Sequence, residues 1–307
     1  MLMTARNQMH AIAVADAPPQ VDLAVIVPAY NEQDGIERTV ARVQEVLAQL
    51  PCTAEIIVVD DGSVDGTRAL AEACNVRVLS HGTNRGYGAA LKTGILNTDA
   101  DAIMIMDADC TYPPDAIPRL YSRLAQADMV VGARSLSSEG VAWVRRPAKW
   151  VLNRFASYLV GRRIADLNSG QRVMRRGALL RYLHLLPSGF SFTSTITMAL
   201  LANGHPVIYE PIEYGTRTGR SKIRPSDFGN FMLLVVRAIV LFNPLKVFLP
   251  LGALLFAIGL AKLVEDIIKW NLSETAVMAF LAAIVVWSVG LLADMIARLH
   301  LQPPRQP

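Results

Sequence analysis

Met104-Ile-Met-Asp-Ala-Asp-Cys-Thr-Tyr-Pro-Pro114 (MIMDADCTYPP) is the stretch on which the reading of this chain turns. The apolar run Ala102-Ile-Met-Ile-Met106 stops abruptly at Asp107-Ala-Asp109, and prolines follow at Pro113 and Pro114. A short apolar run bounded by turn signals reads as a buried strand. Two carboxylates at i and i+2, where such a strand leaves its sheet, fall on the carboxyl edge where open α/β sheets bind ligands. A hard divalent cation, held by one or two carboxylates and completed by phosphate oxygens, suits that arrangement. An acidic turn that merely solvates a strand end has the same local sequence, so the surroundings decide.

Working outward, the same pattern recurs on both sides. Leu23-Ala-Val-Ile-Val27 is an apolar run stopped by Pro28-Ala-Tyr-Asn-Glu32, and Glu55-Ile-Ile-Val-Val59 runs into Asp60-Asp-Gly-Ser-Val-Asp-Gly-Thr67. Val76–Leu79 leads to the glycine-rich Asn84-Arg-Gly-Tyr-Gly-Ala-Ala90 at a helix start, and Met129-Val-Val131 ends at Gly132-Ala-Arg134. Between these runs, Ile36, Val40, Val43 and Leu47 are spaced by four, three and four, as on an amphipathic helix closed by Pro51. Further helices are expected through Ala73, near Asp115–Leu124, near Gly177–Leu185 and from Phe192 through Ala202, with a strand at Pro206–Tyr209. Strands alternating with helices predict an α/β fold with a mainly parallel, Rossmann-like sheet. The junctions at Pro28, Asp60, Asp107 and Gly132 then share one sheet edge, and that convergence is the argument for a site.

The C-terminal third has a different texture. Of 307 residues, 52% are hydrophobic and 18% charged, and the apolar excess is concentrated after Phe228. Leu245–Leu263 and Thr275–Ile296 are each long enough to cross a hydrocarbon core at about 1.5 Å per residue. A loop carrying Glu265, Asp266, Lys269 and Glu274 joins them into a hairpin. Basic residues before the first span (Arg220, Lys222, Arg224, Arg237, Lys246) and after the second (Arg298, Arg305) place both termini in the cytoplasm by the positive-inside rule. Residues 229–243 and about 147–164, basic and aromatic by turns, read as interfacial helices. Residues 1–20 lack a signal-peptide apolar core and read as a flexible leader. A catalytic domain at 21–228 and a membrane region at 244–307 complete the expected division. The net charge of +4 is modest and no aromatic-interleaved basic stripe accompanies it, which argues against nucleic acid as a partner. Cys52, Cys74 and Cys110 show no metal-ligand spacing and are expected as small buried residues in a reducing compartment.

Taken in order, Val27-Pro-Ala-Tyr-Asn-Glu32, Val58-Val-Asp-Asp-Gly-Ser63 with Asp65-Gly-Thr67, Asn84-Arg-Gly86 and Asp107-Ala-Asp109 resemble family-2 glycosyltransferases of GT-A fold. Asp166-Leu-Asn-Ser-Gly-Gln-Arg172, Arg217-Thr-Gly-Arg-Ser-Lys222 and the tail hairpin narrow the resemblance to polyprenyl-phosphate glycosyltransferases of dolichyl-phosphate mannose or glucose synthase type. By that resemblance Pro28, Tyr30, Glu32, Val59 and Asp61 line a pocket for the nucleotide base and ribose. Asp107, Ala108 and Asp109 frame the diphosphate, and Mg²⁺ or Mn²⁺ sits at Asp107 and Asp109, with Asp109 the direct ligand. Some relatives carry an amide as a further ligand where this chain has Thr111, a weaker donor. Arg134 matches an arginine near the sugar or phosphates. Arg217 and Lys222, with Arg220 between them, match a loop for the acceptor or donor phosphates, although that loop is one residue shorter here than in many relatives.

The implied reaction is attack by the phosphate oxygen of a membrane-embedded polyprenyl phosphate, undecaprenyl or dolichyl, on the anomeric carbon of a UDP- or GDP-hexose, with inversion. A phosphate monoester is largely ionised near neutral pH, its second pKa being about 6, so a strong base is unnecessary. Asp166 falls where related enzymes place either a base or an orienting carboxylate; a helix cap or turn residue is the plain alternative. A polysaccharide synthase of the same fold is the competing enzyme class, but Gln171-Arg-Val-Met-Arg175 departs from the Gln-x-x-Arg-Trp pattern of such enzymes. A non-catalytic membrane scaffold is the other, and the intact Asp107 and Asp109 weigh against it. Two spans leave room for lateral association into a homo-oligomer, which no motif demands.

Overall fold

In the computed structural model, the described residues are 21–134, 154, 157–158, 160–189, 191–215, 240, 243–270 and 273–301. Strand β1 (Leu23–Ala29) alternates its side chains between two cores: Leu23, Val25 and Val27 face one, Ala24 and Ile26 the other. That two-sided burial is why its sequence is continuously apolar rather than alternating. The pattern repeats in β2 (Ala54–Asp60), β4 (Ala102–Ile105) and β5 (Met129–Arg134), with the short β3 (Arg77–Ser80) on one edge of the sheet and β7 (Val207–Ile212) on the other.

Helices cover both faces. On one side α1 (Ile36–Leu47) buries Ile36, Val40, Val43 and Leu47, the four positions expected from their spacing, and α4 (Ile117–Arg123) adds Ile117 and Leu120. The short α2 (Thr67–Ala73) buries Ala71 into the same core. The other face is closed by α3 (Tyr87–Leu96), α5 (Arg176–Tyr182) and α6 (Phe192–Ala202). Helix α6 is buried from Phe192 to Leu201, so its hydroxyl residues Thr193, Ser194, Thr195 and Thr197 lie inside the protein.

The seven strands run in the order β3-β2-β1-β4-β6-β5-β7. Strands β1, β2, β3 and β4 are mutually parallel, and so are β5 and β7. The sequence did not suggest β6 (Arg172–Arg175), which pairs antiparallel with both β4 and β5. Its Val173-Met174 core is too short to register as an apolar run, and the arginines at each end disguise it. The expected mainly parallel sheet is thus present with one reversed strand inside it.

Two long helices follow. Helix α7 (Leu245–Ile268) and helix α8 (Glu274–Leu301) pack as an antiparallel hairpin, long and apolar enough to span a membrane. Gly252 meets the indole of Trp287 and Gly290 meets Phe248, so small residues let the two helices approach closely. The connection is tighter than expected. Glu265 and Asp266 belong to α7, where Lys262 reaches Glu265 at 3.0 Å, and Asp266 takes the Ser273 N–H at 2.9 Å to close the turn. The leader at 1–20, most of the 147–164 and 229–243 interfacial segments, and Arg217, Arg220 and Lys222 lie outside the described residues. The cysteine expectation needs correcting: Cys52 and Cys74 are only half-buried, and Cys110 is exposed at φ 58° in the turn that follows Asp109.

Candidate functional site

The carboxyl ends of β1, β2, β4 and β5 share one edge, and the chain reverses its order of strand addition between β1 and β4, the switch point where ligands bind in such sheets. The loops leaving those strands interlock. After β1, the backbone of Gly35 presses on Ala108, where a Cβ would lie 2.7 Å from the carbonyl oxygen, and Thr39 Oγ1 donates to the same oxygen at 3.0 Å. After β2, Gly62 adopts φ +74° and packs against Thr83 and Asn84, an approach that leaves no space for a side chain. Pro28 and Val59 are neighbours in the register near the carboxyl ends of β1 and β2, and Val59 is fully buried in the sheet's core. Tyr30 and Glu32 are half-buried, and the Glu32 N–H is held by Thr67 Oγ1 at 2.9 Å.

Asp61 is buried and heavily engaged. Its carboxylate accepts the Arg85 N–H at 2.9 Å and the Gly86 N–H at 2.8 Å, and His81 Nδ1 lies 2.6 Å away. The aspartate therefore fixes the Asn84-Arg-Gly86 loop at the end of β2. Asp60 turns to Ser80 Oγ at 3.0 Å and to the Ser63 N–H at 3.2 Å.

The aspartate pair stands where β4 ends. Asp107 Oδ1 accepts the Tyr87 hydroxyl at 2.9 Å, and burial holds that phenol well above its ordinary pKa, with the neighbouring Asp107 charge adding to the shift, so it stays a donor. Gly170 lies against the other side of Asp107, where a Cβ would fall 2.4 Å from Oδ2. Asp109 is buried and accepts Thr111 Oγ1 at 2.6 Å and the Thr111 N–H at 3.2 Å. Thr111 thus spends its hydroxyl proton on Asp109. Among the described residues no group of three or more His, Cys, Asp or Glu gathers to enclose a metal. Two carboxylate side chains fixed in space, with the remaining positions left to ligand oxygens, match what a Mg²⁺ or Mn²⁺ carrying phosphates requires.

Beside the pair, Arg134 and Asp166 form a bidentate fork, Nε to Oδ2 at 2.7 Å and Nη2 to Oδ1 at 2.9 Å. The Arg134 and Asn168 backbone N–H groups add to the same carboxylate, each at 3.2 Å. Burial works against the Arg134 charge, but the Asp166 hydrogen bond together with the electrostatic pull of Tyr112, Asp166 and Tyr214 outweighs it and holds the guanidinium above its ordinary range. Arg134 also stacks over Tyr214 at 5.4 Å, and Tyr214 meets Tyr112 edge-on. Tyr112 OH receives the Gly170 N–H at 2.6 Å, which ties the Asp166–Gly170 loop to the aspartate loop.

Several of these groups were not singled out from the sequence. Tyr87 lies in the glycine-rich stretch, whose sequence announces only the helix start that it does form. Tyr112 and Gly170 sit beside flagged residues, and only the fold shows them touching Asp107 or its neighbours. Arg172 is fully buried and joins the Leu167 and Ser169 carbonyls to Thr193 O at 2.9 Å and Thr197 Oγ1 at 2.8 Å, so it braces the loop from beneath.

An α/β sheet whose carboxyl edge sets two fixed carboxylates beside a fixed guanidinium suits an enzyme that handles phosphorylated donors. The model for Glycosyl transferase family 2 matches residues 24–183, and the chain belongs to that family. A second model, the GtrB C-terminal hairpin, matches residues 243–299 and covers α7 and α8. The chain is 32% identical to polyprenol monophosphomannose synthase of Mycolicibacterium smegmatis, with 72% of this chain and 88% of that protein covered. It is 29% identical to undecaprenyl-phosphate mannosyltransferase of Micrococcus luteus, covering 69% and 91%. It is also 29% identical to undecaprenyl-phosphate 4-deoxy-4-formamido-L-arabinose transferase of Sodalis glossinidius, covering 80% and 76%. Among solved structures, glucosyl-3-phosphoglycerate synthase of Mycobacterium tuberculosis, crystallised with Mn²⁺, UDP and phosphoglyceric acid, superposes with TM-score 0.58 at 20% identity, covering 71% of this chain and 78% of that one. That likeness is one of fold.

Proposed function

We propose that this membrane-bound glycosyltransferase moves a hexose from a nucleotide diphosphate sugar to the phosphate of a polyprenyl phosphate, giving a lipid-linked sugar. The observation that carries the reading is one sheet edge holding Asp107, Asp109, Arg134 and Asp166 in a chain that continues into a membrane hairpin. A lipid acceptor cannot leave the bilayer, so its catalyst must sit on it.

In the proposed step an acceptor phosphate oxygen forms a bond to the anomeric carbon as the bond from that carbon to the nucleoside diphosphate oxygen breaks. The configuration inverts and the nucleoside diphosphate leaves with the bonding pair. Pro28, Tyr30, Glu32, Val59 and Asp61 border the base and ribose, and Ala108 with the two aspartates faces the diphosphate. Asp107 and Asp109 would hold Mg²⁺ or Mn²⁺, which supplies Lewis-acid stabilisation of diphosphate charge when bound. Tyr87, Gly170 and Thr111 orient those carboxylates. Arg134 donates Nε and Nη2 to Asp166 and keeps Nη1 for a phosphate oxygen, a charge-assisted contact. With four donors on its two oxygens, Asp166 acts as the residue that aims Arg134 rather than as a base. The Arg217–Lys222 loop would complete the acceptor side. Donor sugars reach the site from the cytoplasm in this reading, following the basic residues that flank the hairpin.

The test is a transfer assay on the purified full chain, with labelled UDP- and GDP-sugars, undecaprenyl or dolichyl phosphate, and Mg²⁺ or Mn²⁺, beside Asp109→Ala. Label entering an acid-labile lipid, and lost in the variant, is the expected result. Donor binding without lipid labelling would overturn the acceptor assignment, and no donor binding would leave the scaffold reading standing.

A further inference from the structure

The junction between the catalytic domain and the membrane hairpin carries a charged surface that the transfer step does not use. Gly161 sits at φ +78° where a short helical stretch ends, its N–H bonded to Ser157 O at 2.8 Å. On either side Val160 and Ile164 are buried in the sheet's core, and Val247 of α7 packs against that same core. The open face of Gly161 receives the Lys246 ammonium: a Cβ there would lie 2.8 Å from Nζ. Arg162 and Arg163 follow directly and are exposed, as is Tyr158 at 67%. Arg162 Nη1 donates to His205 O at 3.3 Å, a contact that does not neutralise its charge. Among the described residues, no carboxylate lies within ion-pair distance of Arg162, Arg163 or Lys246, although the same set of residues forms fifteen other close acid–base pairs.

Depth follows from the sequence of α7. Lys246 immediately precedes the apolar run Val247–Ala261, so its ammonium stands where hydrocarbon gives way to headgroups. Gly161 touches it, which puts Arg162, Arg163 and the exposed phenol of Tyr158 at the same level. Cations with no carboxylate partner among the described residues, beside an amphipathic aromatic side chain at that depth, match the negative surface of a bilayer.

We propose that Arg162, Arg163 and Lys246 form a binding surface for the phosphate headgroups of anionic phospholipids, separate from the acceptor site, and that it sets the height of the catalytic domain above the membrane. An open surface of three dispersed charges fits a bilayer of many singly charged diesters better than one scarce acceptor. The inference rests on the hairpin and not on the identity of the transferred sugar.

The experiment reconstitutes the full chain in phosphatidylcholine membranes containing spin-labelled phosphatidylglycerol and measures its preference over spin-labelled phosphatidylcholine. The variants are Arg162→Gln/Arg163→Gln/Lys246→Gln and a charge-preserving Arg162→Lys/Arg163→Lys form. A several-fold preference in the wild type, weakened by about 0.5 M salt through screening, lost in the glutamine variant and kept in the lysine variant, is the expected outcome. An unchanged preference in the glutamine variant would overturn the proposal. So would displacement of the labelled phosphatidylglycerol by a few mole per cent of undecaprenyl phosphate, which would make the surface an acceptor site. Nucleotide-sugar binding by the glutamine variant, measured in parallel, should equal that of the wild type and reports separately on the fold and on the transfer reading.

Discussion

Replacing Asp166 by asparagine separates two chemistries that sequence alone leaves open. The carboxylate takes Arg134 Nε and N on Oδ2 and Arg134 Nη2 and Asn168 N on Oδ1. An amide can accept on one side only; its NH₂ must face two N–H donors on the other. Asp166 is 1% exposed and Arg134 18%, so solvent cannot compensate. Breaking a buried pair of this kind costs about 3–5 kcal/mol, and for a catalytic domain of this size each kcal/mol lowers Tm by roughly 2–4 °C. The guanidinium also loses its aim. If its Nη1 holds a phosphate oxygen through a bond worth about 1.5–3 kcal/mol, kcat/KM should fall roughly 10- to 150-fold at 1.36 kcal/mol per decade. A lost general base costs a similar factor of about 10²–10⁴, so size does not discriminate. The decisive assay is lipid-linked sugar formation over a pH series in wild type, Asp166→Asn, Arg134→Ala and the double variant. A residue acting through Arg134 costs little more once Arg134 is gone, and the acidic limb of the pH–rate profile survives its loss. Equal penalties for Asp166→Asn with and without Arg134, or disappearance of the acidic limb, would refute the reasoning.

Other outcomes follow from the same contacts. Tyr87→Phe removes the hydroxyl from Asp107 Oδ1 and should weaken Mn²⁺ affinity by about 10–100-fold, as loss of an outer-shell partner does; electron paramagnetic resonance titration with nucleoside diphosphate present checks this. Gly170→Ala puts a methyl group 2.4 Å from Asp107 Oδ2 and should abolish Mn²⁺ binding in that titration, while Gly177→Ala, with open space around it, should not. Burial raises the phenols of Tyr87, Tyr112 and Tyr209 above the ordinary value of 10.0. Their folded-state pKa exceeds the unfolded one, so their contribution is complete below about pH 10 and declines as pH rises towards the folded values. Absorbance titration at the phenolate band should show these three ionising only as the catalytic domain unfolds.

The fold was legible where burial on both faces forces a continuous apolar strand, as in Leu23–Val27 and Glu55–Val59, and where spacing declares a helix, as from Ile36 to Leu47. The hairpin was legible because lipid demands length. The candidate site was legible wherever a side chain capable of the proposed chemistry stands at or just beyond a strand end, as do Asp107, Asp109 and Arg134. It was not legible where a residue acts through a neighbour distant in sequence. Tyr87 is twenty residues from Asp107, and nothing in Asn84-Arg-Gly-Tyr87 says which carboxylate its hydroxyl meets. Asp166 could be flagged, but its role depended on the direction of a strand four residues long that leaves no periodic trace.

That direction has a consequence for the chemistry. A parallel strand between β4 and β5 would begin at the amino edge, and the loop ahead of it would lie at the end of the sheet opposite the aspartates. Because β6 runs antiparallel to both neighbours, Arg172 pairs with Ile105 and Val131 at the carboxyl edge, and the preceding residues 166–171 are delivered there. Gly170 then meets Asp107 from the β4 side while Asp166 meets Arg134 from the β5 side. The inserted strand also separates β4 from β5 by two strand spacings, about 9–10 Å, which is room for a diphosphate between the cation carboxylates and the guanidinium. Buried Arg172 fixes the loop at that level through its bonds to Ser169 and α6. Under the proposed function, the reversed strand therefore gives the nucleotide-binding sheet edge a second wall, and the acceptor phosphate would enter between the two.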